Sequence, residues 1–462
     1  MVQSTRRRVR DQINLLREQP QLAFHDLLEE QAVNDALEAE EVSFRACIFT
    51  PLITLWTFLS QILSQDHSCR EAVARLIAFL VARGEEPCAP ETNTYCDARQ
   101  RLPLGVITRL VRKSHDDMEA KIPSDWTWKG RHCYLVDGTT VSMPDTKENQ
   151  KCFPQSRSQP RGLGFPIARV VALISLATGA ARELRIGPYK GKKSGETALF
   201  RTMINRLNEG DIVVGDRYFS GYFTIALLGQ RHADALLRMH QLRKFDFRRG
   251  RRHGVEDHVV RWIKPQRPDW MKQALYDQLP CELNVRELRI RVHEPGFRVN
   301  ELVFVTTLLD PAEYPKEEVA DLFLSRWNAE LDLRAIKCEM QMDILRCKSP
   351  DMVKKEIWMH MLAYNLVRGL IAAAAEAHGK QPRQISFKGA LQALGAFADS
   401  LRLTDVARRN ALIKALLAMI AAQVVGNRPG RVEPRAVKRR PKPIDLLMEP
   451  REIARKRLLG QI

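Results

Sequence analysis

Apolar and polar positions divide the chain into a helical opening, a strand-rich middle and a helical close. Residues 1 to about 125 carry helical periodicity, from an Arg-rich start into an amphipathic helix. The apolar stretch Ala46 to Leu63 is interrupted by Pro51, Thr54, Thr57, Ser60 and Gln61. Polar residues recurring through it predict a buried helix rather than a membrane span. Ser68-Cys69-Arg70-Glu71 is a capping box that opens a helix to about Arg83, ended at Gly84-Glu85-Glu86-Pro87. Thr92 or Thr94 caps a short helix through Arg101, and Pro103 stops it. Two readings are open for this pair: an ordinary helical bundle, or a helix-turn-helix with Thr92, Asn93, Thr94, Tyr95, Arg99 and Arg101 near its reading end.

From about 130 the period changes to that of strands. His132–Val136, Ile167–Leu176 and Ala181–Ile186 read as three strands joined by hairpins, with Thr178-Gly179 as one turn. Ser194–Leu207 is helical, Ile212–Gly215 a strand, Gly221–Gln230 helical and Ala233–Met239 strand-like. This order predicts an α/β fold with a ribonuclease H-like mixed sheet at its core. A β-rich insertion follows at 240–305, with strands expected at Val255–Ile263, Val285–Val292 and Glu301–Thr307. The expected divisions are a helical domain at 1–125, core at 126–239, the insertion, core and C-terminal helices at 306–425, and a basic Pro/Arg-rich tail at 426–462. No internal repeat is present.

Charge narrows the class of partner. The 462 residues carry a net charge of +18, with pI near 9.7. Ten Lys/Arg stand against three Asp/Glu between Arg238 and Arg267, and eleven against four between Arg428 and Arg457. Two short stretches thus hold 14 of the 18 charges. Such concentrations point to a polyanion, with nucleic acid ahead of an anionic membrane. The membrane reading is weakened because neither basic run lies on an amphipathic helix with Trp or Leu along one side. Nine cysteines lack metal or disulfide spacing, which suits reduced thiols in a cytosolic protein, and no signal peptide is read at the start. Lys190-Gly191-Lys192-Lys193-Ser194-Gly195 misses the phosphate-loop spacing, since residue 186 is Ile. No Ser-His-Asp system, dinucleotide fingerprint or paired-histidine zinc motif is found.

The candidate chemistry lies in three places. Phe323, Arg326, Glu330 and Lys337 fall at about 0°, 300°, 340° and 320° around one helix, a single stripe able to hold an ion and phosphate oxygens. Arg326 and Glu330 also suit a plain i,i+4 pair on a solvated face. Asp137 follows Tyr134-Leu135-Val136, and Asp216 follows Ile212-Val213-Val214-Gly215, each at the end of a short β-prone run. Neighbouring strands would bring these carboxylates together, and a packed helix would add the third. Three such groups repel unless cations neutralise them, which two Mg²⁺ would do.

Asp137-Gly138-Thr139, Gly215-Asp216-Arg217-Tyr218 and the helix pattern F-x2-R-x3-E-x6-K together resemble the DDE transposases of the insertion-sequence-4 family. Phe323 stands where that family usually has Tyr. The segment Glu356 to Arg368 and the tail Glu433 to Pro443 are similar in style, so the resemblance covers most of the chain. It implies a ribonuclease H-like fold with an insertion before the last carboxylate. Asp137, Asp216 and Glu330 would be the catalytic ligands of two Mg²⁺, for which Mn²⁺ may stand in. The implied reaction is cleavage at the inverted terminal repeats of an insertion sequence, then strand transfer to target DNA, within a synaptic homodimer in the bacterial cytoplasm. Expected DNA contacts are Arg326, Lys337, Phe323, Arg217, Lys192, Lys193, Trp262, Arg248, Arg249, Arg251, Arg252, Lys438, Arg439 and Arg440. Trp262, like Trp270, Phe245 and Phe247, suits either stacking on unpaired bases or the core of the insertion. The rival readings are a nuclease or resolvase with the same metals but no strand transfer, and a catalytically silent DNA-binding protein.

Overall fold

The structure, a computed structural model, describes residues 30–43, 47–82, 84–160, 162–191, 194–291, 301–403, 406–426 and 447–462. The amphipathic helix expected before residue 30 lies outside them, as does most of the tail. The opening helices are α1 (Glu30–Ala39), α2 (Pro51–Leu63), α3 (Cys69–Ala82), α4 (Asn93–Arg101) and α5 (Leu104–Glu119). Ser68 Oγ accepts from Glu71 N at 3.1 Å, as the capping box requires. Of the residues named for the helix-turn-helix reading, Asn93, Thr94 and Arg101 are exposed, while two are structural. Tyr95 is fully buried, and the buried Arg99 stacks on Phe58 and Tyr95 and donates to Gln61. These side chains hold α2, α3 and α4 together and are not presented outward.

Nine strands form one sheet in the order β3-β2-β1-β4-β5-β9-β8-β7-β6. They are β1 (Cys133–Ser142), β2 (Ile167–Ser175), β3 (Ala181–Pro188), β4 (Ile212–Gly215), β5 (Asp234–Arg238), β6 (Arg251–Gly254), β7 (Asp257–Ile263), β8 (Glu282–Arg291) and β9 (Glu301–Thr306). β1, β2 and β3 run antiparallel, while β4 and β5 lie parallel to β1. That arrangement of the first five strands is ribonuclease H-like. β4 is buried at every position, which explains its unbroken apolar run. One expectation is corrected. β1 and β2 are not joined by a hairpin: residues 143–166 connect them and include α6 (Lys147–Cys152). The strands of the 240–305 segment continue the core sheet, because β9 pairs antiparallel with β5 and leads through β8 and β7 out to β6.

Helices cover both faces. α7 (Glu196–Arg201), α8 (Tyr222–Gly229) and α9 (Gln273–Gln278) pack on one side, around Phe200, Phe219 and Trp262. On the other side α10 (Lys316–Leu324) and α11 (Trp327–Arg334) cover β1, β4, β5 and β9. A π-helical turn, Ala335–Glu339, follows α11. The long α12 (Pro350–Ala377) passes through the largest apolar cluster, which joins α1, α2 and α5 to the outer strands β1–β3. α12 is long and apolar enough to cross a membrane, yet 89% of its most apolar window is buried inside the protein. α13 (Phe387–Leu403) and α14 (Val406–Ala422) pack beside it, and α15 (Arg451–Leu458) lies near the end of the chain.

One buried ionic network fastens α11. Asp332 is fully buried and accepts from Arg368 on α12 and from Arg383, whose Nη1 lies 2.8 Å from both carboxylate oxygens. Arg383 also donates to the carbonyls of Ser175 and Leu176 at the end of β2. Gly179, at φ +79°, completes the fit, because a Cβ there would lie 2.7 Å from the Arg368 guanidinium carbon. Removing a carboxylate that the buried Arg368 and the half-buried Arg383 share leaves both uncompensated. Asp332→Ala is therefore expected to cost about 3–5 kcal/mol, read from urea denaturation. A loss below about 1 kcal/mol would show that the network is incidental to stability.

Candidate functional site

The register of β1 against β4 sets the site. Val136 faces Gly215 in the last step of the parallel ladder, so Asp137 and Asp216 are the next residue on each segment, just past the end of the pairing. Tyr134 and Val136 point toward Phe200 and Phe219, whereas Cys133 and Leu135 point toward Phe304 and Ala329. Alternation therefore sends Asp137 to the side of α10 and α11. A Cβ on Gly215 would meet Val136 Cγ1 at 2.7 Å, which places it on the Phe219 side. Asp216, extended at φ −79°, ψ 176°, turns to the same side as Asp137. β4 ends here, but β1 continues to Ser142, paired with β2 and, at Ser142 itself, bridged to Ile344. Asp137 is thus a mid-strand residue beside an open notch, rather than a strand terminus.

Arg326 joins the carboxylate of the helix to this pair. Its Nη2 donates to Glu330 Oε1 at 2.8 Å, and its Nη1 lies 3.9 Å from Asp137 Oδ2. The expected continuous helix is interrupted at Ser325–Arg326, where backbone bonds tighten to the three-residue spacing between α10 and α11. The π turn then alters the helical angle before Lys337, which lies on that turn and is half-buried. Phe323 consequently does not share the face of Arg326 and Glu330. Phe323 is buried, its ring centroid 4.2 Å from that of Phe304, so the aromatic belongs to the core and not to a DNA-facing surface.

The Asp137 carboxyl is pushed up to about 6: burial is the largest cause, the Gly138 N–H and Arg326 oppose it, and Glu330 and Glu196 add to it. Asp216 Oδ1 is buried without a hydrogen-bond partner. An oxygen left so is one that a cation would satisfy, and carboxylate oxygens are the donors that Mg²⁺ takes. As placed, Glu330 turns to Arg326, and among the described residues no three His, Cys, Asp or Glu side chains stand close enough to hold an ion together. The donor types and the orphaned oxygen fit a hard divalent cation once the guanidinium gives up its place between the carboxylates.

The remaining predicted contacts are dispersed. Arg217 is half-buried and donates to Gln241 Oε1 at 2.8 Å. Arg248 and Arg249 are exposed and pair with Asp246, and Arg251 and Arg252 are exposed on the edge strand β6. Trp262 resolves in favour of core packing: it is 3% exposed, donates to Glu287 at 2.8 Å and is covered by Arg243. Lys192, Lys193, Lys438, Arg439 and Arg440 lie outside the described residues. Sequence reasoning missed Asp332, which resembles any helix-face acid.

Comparison with known proteins bears on this arrangement. Residues 128–366 match the family described as Transposase DDE domain. The chain is 27% identical over 435 residues to the transposase InsG of insertion sequence element IS4 from Escherichia coli strain K12, covering 91% of this chain and 93% of that one. It is 36% identical over 69 residues to the transposase of insertion sequence element IS421 from Escherichia coli, covering 15% of this chain and 19% of that one. A solved piggyBac transposase synaptic complex with hairpin DNA superposes with a TM-score of 0.44 at 9% identity, over 92% of this chain and 89% of that one.

The raised Asp137 carboxyl has a consequence for stability. A carboxyl that binds its proton more tightly when folded loses stability as pH rises from about 4 to about 6. Without divalent cations, Asp137→Asn should melt above the wild-type protein at about pH 8 and level with it below about pH 4. A variant melting lower at high pH would mean that the Arg326 attraction outweighs burial.

Proposed function

The chain belongs to the Transposase DDE domain family, which makes it a DNA transposase and an enzyme, and we propose that Asp137, Asp216 and Glu330 form its catalytic centre. The observation that supports this most is the pairing of Val136 with Gly215 at the end of the β1–β4 ladder, which leaves Asp137 and Asp216 as the next residue on each segment, with Arg326 linking Glu330 to Asp137. Two divalent cations, Mg²⁺ or in its place Mn²⁺, would supply activation of a water or 3′-hydroxyl and stabilisation of the leaving oxygen at phosphorus. The sheet fixes the backbone of Asp137 within β1, and Asp216 follows directly on the buried strand β4. Glu330 completes the set from α11, whose position Asp332 secures. Arg326, released from Asp137 and Glu330, presents a planar fork matched to phosphate oxygens beside the cut. Lys337 adds a second cation further along the same helical path.

The substrate is proposed to be double-stranded DNA carrying the inverted terminal repeats of an insertion sequence. The product is a strand transferred to target DNA, within a homodimer that pairs two ends in the bacterial cytoplasm. The exposed arginines of β6 and the preceding turn, with the basic tail, would add contacts to the phosphate backbone that carry no sequence information.

Glu330→Gln should abolish cleavage of an end-bearing duplex in Mg²⁺ while leaving its gel-shift affinity nearly unchanged. Retained cleavage would remove Glu330 from the mechanism. With the wild-type enzyme, donor–target joints are expected, and cleaved ends without joints would favour a nuclease. Truncation after Gly426 removes eleven Lys/Arg and should flatten the salt dependence of binding. An unchanged slope would show that the tail does not touch DNA.

A further inference from the structure

The connection between β1 and β2 carries positive charge that the fold leaves unspent. Lys147, Lys151 and Arg157 on it, with Lys190 beyond β3, line a cavity of about 590 Å³. Asp145 is the one acid among the described residues that line it. Lys147, Lys151 and Arg157 are exposed, and Lys190 is half-buried. Among the described residues, none of the four cations has a hydrogen bond or an ion pair.

Hydrogen bonds fix the shape of this hollow. Gln155 Oε1 accepts from Gly162 N at 3.2 Å and Gly164 N at 3.3 Å, and its Nε2 donates to the Pro160 carbonyl at 2.8 Å. Gln150 Nε2 donates to Asp145 Oδ1 at 2.7 Å and to the Gly164 carbonyl at 2.9 Å. The fully buried Asn149 fastens α6 to the Cys347 carbonyl at 3.3 Å. Like charges gathered around one hollow repel, and a polyanion relieves them.

Position and chemistry name the anion. β1 runs on from Asp137 to Ser142 before the connection begins, about 17 Å at the usual rise. One turn of B-form DNA is about 34 Å, so a duplex engaged at the notch reaches this surface within about half a turn. Pro450, just before α15, packs on the same connection: a Cβ on Gly162 would lie 3.3 Å from its Cγ. Arg455 and Lys456 of α15 are exposed nearby in the chain. The amides of Gln150 and Gln155, groups able to read base edges, are occupied within the connection. The cations that remain suit phosphate oxygens, which carry no sequence information.

We propose that Lys147, Lys151, Arg157 and Lys190 form a sequence-independent docking surface for the phosphate backbone of duplex DNA beside the catalytic notch. The proposal rests on the reading of Asp137, Asp216 and Glu330 as that centre, and it adds a contact surface separate from β6 and the basic tail.

The affinity of the full-length protein for an end-bearing duplex and for a random duplex of equal length, followed across salt concentrations, tests it. The variant Lys147→Gln/Lys151→Gln/Arg157→Gln/Lys190→Gln should lower the slope of log affinity against log salt by about 3–4, equally for both duplexes. Its melting temperature should not fall, since no ion pair is lost. A charge-keeping variant, Lys147→Arg/Lys151→Arg/Arg157→Lys/Lys190→Arg, should retain the wild-type slope. An unchanged slope in the neutral variant would overturn the proposal. A loss confined to the end-bearing duplex, or an equal loss in the charge-keeping variant, would overturn it too. Cleavage of the end-bearing duplex by the wild-type protein in Mg²⁺ is read alongside. No cleavage, with the slope still falling in the neutral variant, would overturn the catalytic centre and leave the DNA surface standing.

Discussion

Holding a short polar helix against the sheet is the constraint on which the site depends, and Asp332 meets it. α11 spans only Trp327–Arg334, and its exposed Trp327 and Leu331 give it a narrow apolar footing. An eight-residue helix is marginal by itself. The fully buried Asp332 carboxylate binds guanidinium groups from α12 and from Arg383, and Arg383 is locked in turn to the carbonyls that end β2. The helix that carries Glu330 is thus tied to the same sheet that carries Asp137 and Asp216. A buried charge with fewer partners would be costly, and this one has two cations.

The strands that matter most were legible because they are buried on both faces. Ile212–Gly215 is a strand with those bounds, and its apolar run could be nothing long enough for a helix. Placing Asp137 next to Asp216 needed only the pairing of β1 with β4. Less could be read about where β1 ends. Gly138-Thr139-Thr140 has the composition of a turn, yet β2 provides a partner through Ser142, and the long-range ladder overrides the local signal. The helical stripe failed for a related reason. Angles assigned at 100° per residue assume an unbroken helix, and both the tight turn at Ser325–Arg326 and the π turn at Ala335–Glu339 violate that assumption. Phe323 consequently packs on Phe304 while Arg326 reaches the carboxylates.

The buried ionic groups were the least legible part. Asp332, Arg368 and Arg383 are far apart in sequence, and nothing local distinguishes a buried acid from a solvated one. Trp262 was ambiguous for a comparable reason: a tryptophan among arginines suits a base-stacking surface or a core, and its bond to Glu287 inside the sheet decides for the core. Arg243 over its ring also shows that some of the basic charge in this segment is spent on packing rather than on a partner.

The single nine-stranded sheet also acts as a ruler. From β1 to β6 there are six steps between neighbouring strands, about 29 Å at the usual spacing. The acidic notch lies at one end of that span, and the exposed Arg251 and Arg252 lie at the other. Because β9 is bonded directly to β5, the separation is set by hydrogen-bonded backbone rather than by a hinge. The notch and the basic edge are therefore parts of one body, and the distance between them is built into the ladder rather than left to the thermal motion of a tethered domain.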